Sequence, residues 1–212
     1  MHFKIQTTFP RLYNFNQSQC FEPTLQTSAS DAILLSMVAA REEGVRKLRE
    51  IYPDKPRGVL LKKMVGYCSD QCHSSVEKAA MIAYVHLRQC PPDDSGSVRA
   101  STLRSVRKMK IKVSPNSLPS LYATVIENVL QMIKEDKAKG LVPFYHCAIL
   151  GSTGICAFDD LKELGPVCVE NGMWLHVDGA YAGSSFSCPE LRYLSQGMEV
   201  SFSIDILFCF SC

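Results

Sequence analysis

Residues 142–178 read VPFYHCAILGSTGICAFDDLKELGPVCVENGMWLHVD. Val142 to Leu150 is an apolar run bounded by Gly140 and Gly151, and it opens directly into Gly151-Ser152-Thr153-Gly154. Asp159 or Asp160 then caps a helix carried by Leu161 and Leu164, and Met173 to Val177 is a second apolar run that ends on Asp178. Short apolar runs between turn signals are the pattern of strands covered on both faces, and a helix between two of them makes the strands parallel. The fold class that follows is α/β, with a parallel sheet flanked by helices.

The same alternation extends toward the N-terminus. Leu34, Met37, Val38, Val45 and Leu48 recur at helical spacing from Ser30, a good N-cap with Asp31 in the first turn, until Pro53 stops the run. Leu60 to Cys68 contains an apolar run that reads as a strand, and Ser74 or Ser75 caps a helix in which Val76, Ala79, Ala80 and Ala83 share a face. Cys90 to Gly96 is turn-rich, and Arg99 to Asn116 is basic and irregular, a loop or insertion. Tyr122, Val125, Ile126, Val129, Leu130 and Ile133 then mark a helix that closes at Lys137, Lys139 and Gly140. Residues 1–26 show neither period and are left unassigned.

Composition bounds the function. The chain has 212 residues, 46% hydrophobic and 21% charged, with 23 Lys+Arg against 21 Asp+Glu for a net charge of +2. These are globular values, and without a run of like charges they offer no footprint for nucleic acid. No apolar stretch is long enough to span a bilayer, and residues 1–12 lack a secretory h-region, so the expected address is the cytosol. The ten cysteines are scattered and read as reduced, mostly buried small hydrophobes. Cys209 and Cys212 have CxxC spacing, but one such pair without a second is weak evidence for a metal.

In an open α/β sheet a ligand sits beyond the carboxyl ends of the strands. Gly151–Gly154 offers hydroxyls and backbone N–H groups suited to an anion, or is a plain turn. Asp178 ends a buried strand with a carboxylate, which carries a desolvation penalty unless a cation meets it, and the following Gly179-Ala180-Tyr181-Ala182-Gly183 is small enough for a flat ligand to approach. Ser69-Asp70-Gln71-Cys72-His73 puts an imidazole at the mouth of a helix, and Ser28-Ala29-Ser30 places hydroxyls and N–H groups at a helix N-terminus, a phosphate seat. A phosphate seat, a ring-stacking group and a buried carboxylate together are what pyridoxal phosphate requires, since its ring nitrogen must stay protonated to draw electrons.

The stretches 69–78 (SDQCHSSVEK), 141–145 (LVPFY), 150–154 (LGSTG), 165–168 (GPVC) and 174–184 (WLHVDGAYAGS) resemble the group II pyridoxal-phosphate decarboxylases, with the aromatic-L-amino-acid (DOPA) decarboxylase branch nearest and histidine decarboxylase next. The resemblance runs in order from about Ser28 to about Glu199. It implies a partial large domain of the aspartate-aminotransferase-like, fold type I class of pyridoxal-phosphate enzymes, over residues 27–199. It implies that Ala29 and Ser30 hold the cofactor phosphate, His73 stacks on the pyridine ring, Thr153 lies near the cofactor, Asp178 pairs with the ring nitrogen and Ala180 packs against the ring, with His73 and Asp178 as the catalytic pair and no metal. It further implies a small amino-acid substrate, loss of its carboxyl as CO2, and a homodimer.

Three departures from the family pattern shape the remaining expectations. Thr27 stands where the family has Gly, and Gly179 where it usually has Ala. Between Arg104 and Lys134 lie 29 residues where the family has a few, a surplus at roughly Ser105 to Gln131. The last lysine is Lys162, so the family's Schiff-base lysine after the strand-end Asp has no counterpart, and residues 200–212 match nothing in the pattern. The chain is therefore expected to be a truncated representative without turnover of its own. The alternatives are a non-catalytic paralogue that pairs with full-length subunits, or a metal module built on Cys68, Cys72, His73 and Cys209 or Cys212.

Overall fold

The computed structural model describes residues 26–90 and 124–206. Five strands form one all-parallel sheet: β1 (Met64–Ser69), β2 (His86–Cys90), β3 (Val142–Ile149), β4 (Trp174–Asp178) and β5 (Ser203–Asp205), in the order β2-β1-β3-β4-β5. Helices α1 (Ala29–Ile51), α2 (Arg57–Leu61) and α3 (Ser74–Ala83) supply one face, and α4 (Thr124–Ala138) and α5 (Leu161–Glu170) the other. The expected α/β class is what the chain adopts. The strand order reverses between β1 and β3, so the crevice beyond their carboxyl ends is where this topology builds a binding site.

Two cores sandwich the sheet. On one side Ile33, Met37, Ala40, Val45 and Leu48 of α1 and Val76, Ala79 and Ala83 of α3 pack on Met64, Cys68, Phe144 and Tyr145. On the other, Val129, Met132 and Ile133 of α4 and Leu161, Leu164 and Cys168 of α5 pack on Val65, Tyr67, Ala148, Leu175 and Val177. Each fully buried Ile, Leu or Met contributes about 1.5–3 kcal/mol. Among the described residues no helix is long and apolar enough to cross a membrane.

Several local expectations need correction. The helix expected from Ser30 starts two residues earlier, because Ser28 accepts a hydrogen bond from the Asp31 N–H at 3.2 Å and so takes the cap. The next helix is capped by His73 rather than Ser74 or Ser75, its Nδ1 accepting from the Ser75 N–H. The front of the run expected as a strand from Leu60 is the end of α2, which buries Leu60, and the strand starts at Met64. Of the two aspartates before α5, Asp160 is the cap, while Asp159 turns inward to accept from the Ile149 N–H at 2.8 Å. Strands β2 and β5 were not expected. The loop or insertion read at Arg99–Asn116, the part of the surplus up to residue 123, and Cys209 and Cys212 lie outside the described residues.

Candidate cofactor site

The end of β4 is the electrostatic centre of the site. Asp178 is 9% exposed, and its Oδ1 accepts from the Ala180 N–H at 3.1 Å. Burial pushes its pKa up, and Asp205 beside it in the parallel register adds to the rise; the Ala180 N–H, His176 and His73 pull the other way. His73 and Asp178 are thus close enough to interact electrostatically, although they follow different strands. Gly179 is buried directly after Asp178, and a Cβ there would come within 3.1 Å of the Asp205 carbonyl oxygen. The glycine that departs from the family's alanine lets β5 close tightly on this turn.

His73 is exposed at the start of α3, held by the Ser75 N–H at 3.2 Å and by Ser75 Oγ at 2.8 Å from its Nδ1. This bond fixes the orientation of the exposed ring from one edge. At the N-terminus of α1, Thr27 and Ser28 both donate hydroxyl hydrogen bonds to Asp31 Oδ2, which holds the Asp31 carboxyl below its ordinary range, with Lys78 of α3 adding to the effect. Lys78 lies in the second turn of α3, so the N-termini of α1 and α3 meet at the same end of the sheet. With the Ser28 hydroxyl committed to Asp31, what remains for an anion is the pair of first-turn N–H groups of Ala29 and Ser30, which have no intrahelical acceptor.

Of the two readings left open for the loop after β3, an anion cradle or a plain turn, the hydrogen bonds favour the plain turn. The N–H groups of Gly151 and Ser152 both donate to the Ala157 carbonyl, at 2.9 and 3.0 Å, and Ser152 Oγ accepts from the Ala157 N–H. These donors are consumed by the loop itself. Thr153 stands exposed at its tip, and Gly151, at φ +87°, packs so closely on Ala182 that no Cβ fits between them. The loops after β3 and β4 are thereby locked to each other.

Sequence reading missed the groups behind Asp178. His176 and Asp205, both buried, face each other with Nε2 to Oδ1 at 3.4 Å, while His176 Nδ1 lies 2.8 Å from Ser203 Oγ, which also accepts from the Trp174 indole N–H. Tyr145 stacks on the His176 ring, and its hydroxyl lies 3.0 Å from Ser36 Oγ of α1. The available signal was the lone aspartate in the apolar Ser203-Ile204-Asp205-Ile206 stretch. Among the described residues no group of three or more His, Cys, Asp or Glu side chains could hold a metal ion.

The profile of the pyridoxal-dependent decarboxylase conserved domain matches residues 12–114 and 108–207. The chain belongs to the pyridoxal-dependent decarboxylase family. It is 40% identical to mouse aromatic-L-amino-acid decarboxylase over 181 residues, 85% of this chain and 32% of that one. It is 41% identical to mouse histidine decarboxylase over 179 residues, 84% of this chain and 23% of that one. The chain thus spans about a third or less of the length of these curated relatives. Among solved structures, Rhodiola rosea 4-hydroxyphenylacetaldehyde synthase superposes with a TM-score of 0.71 at 28% identity, covering 95% of this chain and 38% of that one. Catharanthus roseus tryptophan decarboxylase in complex with L-tryptophan gives 0.70 at 28% identity over the same shares.

The cofactor of this decarboxylase family is pyridoxal phosphate, and the residues present fit it in three respects. A buried carboxyl with a raised pKa and one backbone donor is stabilised by a cation set against it, as a protonated ring nitrogen would be. An imidazole fixed at one edge offers a flat face, and two helix N-terminal N–H groups suit a phosphate. Within these 212 residues the last lysine is Lys162, ahead of Asp178.

Proposed function

We propose that this chain forms the pyridoxal-phosphate seat of a decarboxylase acting on aromatic L-amino acids of the DOPA, 5-hydroxytryptophan or tyrosine type. The observation that carries the reading is the buried carboxyl of Asp178 at the end of β4, with its pKa raised and His73 within electrostatic range. Residues 27–199 act in this reading as a partial cofactor-binding large domain, interrupted at about 105–131.

When bound, pyridoxal phosphate supplies the electron sink that accepts the charge left when CO2 departs. Ala29 and Ser30 bind the phosphate through their N–H groups. His73 would stack on the ring, Thr153 would lie near it in the loop after β3, and Ala180 would pack against it while its N–H orients Asp178. Asp178 holds the proton on the ring nitrogen, and the low-dielectric surroundings strengthen that pairing. Histidine is the runner-up substrate, on the near-equal similarity to the histidine decarboxylases. The assembly we propose is the homodimer implied by the sequence resemblance. A purified chain of these 212 residues, with no lysine after Lys162, binds cofactor but does not release CO2.

Phosphopyridoxyl derivatives of L-DOPA and L-histidine, which join cofactor and amino acid through a reduced C–N bond, test the reading without needing a lysine. Binding of the DOPA derivative in preference to the histidine derivative is expected, and binding of neither overturns the reading. Measurable CO2 from L-DOPA with the purified chain overturns the claim that it does not turn over alone.

A further inference from the structure

The turn between β1 and α3 carries two thiols that the proposed chemistry does not use. Cys68 is fully buried on β1, paired in register with Gln89 of β2 and Cys147 of β3. The chain then reverses in a tight turn closed by the Cys72 N–H donating to the Ser69 carbonyl at 3.2 Å, with the Gln71 N–H donating to Ser69 Oγ at 3.1 Å. This turn brings Cys72, which is half-buried, back over Cys68, and the two sulfurs lie 3.5 Å apart. A disulfide needs about 2.04 Å, so a side-chain rotation and a small shift of the turn close the gap.

We propose that Cys68 and Cys72 are an oxidisable dithiol, a modification site that closes to an intramolecular disulfide when the chain meets a low-molecular-weight disulfide oxidant. The two thiols have distinct roles. Cys72 is reached from solvent and attacks the oxidant RSSR, forming Cys72–S–SR and releasing one RSH. Cys68 then attacks the Cys72 sulfur and expels the second RSH. The balance is two protein thiols and RSSR giving one protein disulfide and two RSH, with two electrons passing to the oxidant. Cys68 takes the second step and not the first, because it is shielded from solvent and the Cys72 sulfur lies directly over it.

The bond has a consequence for the site. Cys72 immediately precedes His73, whose Nδ1 caps α3, so drawing Cys72 toward β1 shifts the imidazole. This consequence rests on the proposed role of His73; the disulfide itself does not. Oxidation is expected to weaken pyridoxal-phosphate binding.

Both cysteines fall in one tryptic segment, Met64 to Lys78, with no other Lys or Arg inside it. The full chain is treated with glutathione disulfide, quenched in acid, alkylated and mapped by mass spectrometry. The wild-type segment is expected to lose two hydrogens and take no alkylating group. Cys68→Ser is expected to trap the glutathionyl group on Cys72, and Cys72→Ser to leave Cys68 alkylatable only after unfolding. A wild-type segment that keeps two alkylatable thiols while exposed Cys156 or Cys188 has reacted overturns the proposal. So does a glutathionyl group that stays on Cys72 in the wild type. In parallel, pyridoxal phosphate is titrated into reduced and oxidised protein; loss of binding on oxidation that persists in the Cys68→Ser/Cys72→Ser double variant refutes the coupling to His73. Failure of the reduced protein to bind pyridoxal phosphate refutes the cofactor reading instead, and the segment map still decides the disulfide.

Discussion

Asp136 ties three elements together at 1% exposure: its Oδ1 accepts from Arg88 Nη1 at 2.7 Å and its Oδ2 from the Tyr67 hydroxyl at 2.8 Å. Replacing it with alanine leaves the Tyr67 hydroxyl without its partner and removes the shorter of the two carboxylate contacts of Arg88. Tyr67 is fully buried, so its unpaired hydroxyl costs about 1–3 kcal/mol. Arg88 keeps a quarter of its side chain in solvent and a second partner, Glu135, at 3.6 Å, so its loss is discounted to about 1 kcal/mol. The expected destabilisation of Asp136→Ala is therefore about 2–4 kcal/mol. The assay is urea unfolding followed by circular dichroism, with the slope checked for constancy. A Tyr67→Phe background supplies the control: removing the stranded hydroxyl first should cut the cost of Asp136→Ala by at least about 1 kcal/mol. An Asp136→Ala chain within about 0.5 kcal/mol of wild type, or full additivity with Tyr67→Phe, would refute the reasoning.

Two further predictions concern the sheet and its loops. Gly151→Ala introduces a left-handed residue and a Cβ that overlaps Ala182, and should cost about 2–5 kcal/mol in the same unfolding assay while loosening the pairing of the two site loops. His146 is fully buried on β3 with neither ring nitrogen hydrogen-bonded, and burial lowers its pKa to about 4. Because the unfolded chain takes up this proton first, stability from this group is intact above about pH 6.5 and falls as pH drops toward 4, by about 3 kcal/mol at most; His146→Met should flatten that part of the stability profile.

The parts legible in the sequence were those where one physical demand dominates. Val142–Ile149 and Trp174–Asp178 are covered on both faces, so their composition alone marks them as strands. The edge strand His86–Cys90 was not legible, because its exposed positions carry His86 and Gln89 and its hold on the sheet depends on Arg88 reaching Asp136, far away in sequence. Ser203–Asp205 is too short for any periodicity. Caps were misplaced by one or two residues where several polar residues compete, and geometry chose Ser28 and His73. Asp178 and His73 stood out as candidates because one ends an apolar run and the other stands shortly after one. His176 lies inside β4, where nothing local separates a working polar side chain from a merely buried one, and Asp205 ends β5, a strand too short to be read from the sequence.

The central claim is that Asp178 meets a protonated ring nitrogen, and the single tryptophan, Trp174, sits on the same strand as a reporter. Quenching of its fluorescence by pyridoxal phosphate, compared between wild type and Asp178→Asn at neutral pH, measures the claim directly. The account predicts saturable quenching in wild type and a Kd at least about tenfold weaker in Asp178→Asn, a loss of about 1.4 kcal/mol or more. Equal Kd values in the two proteins would contradict it.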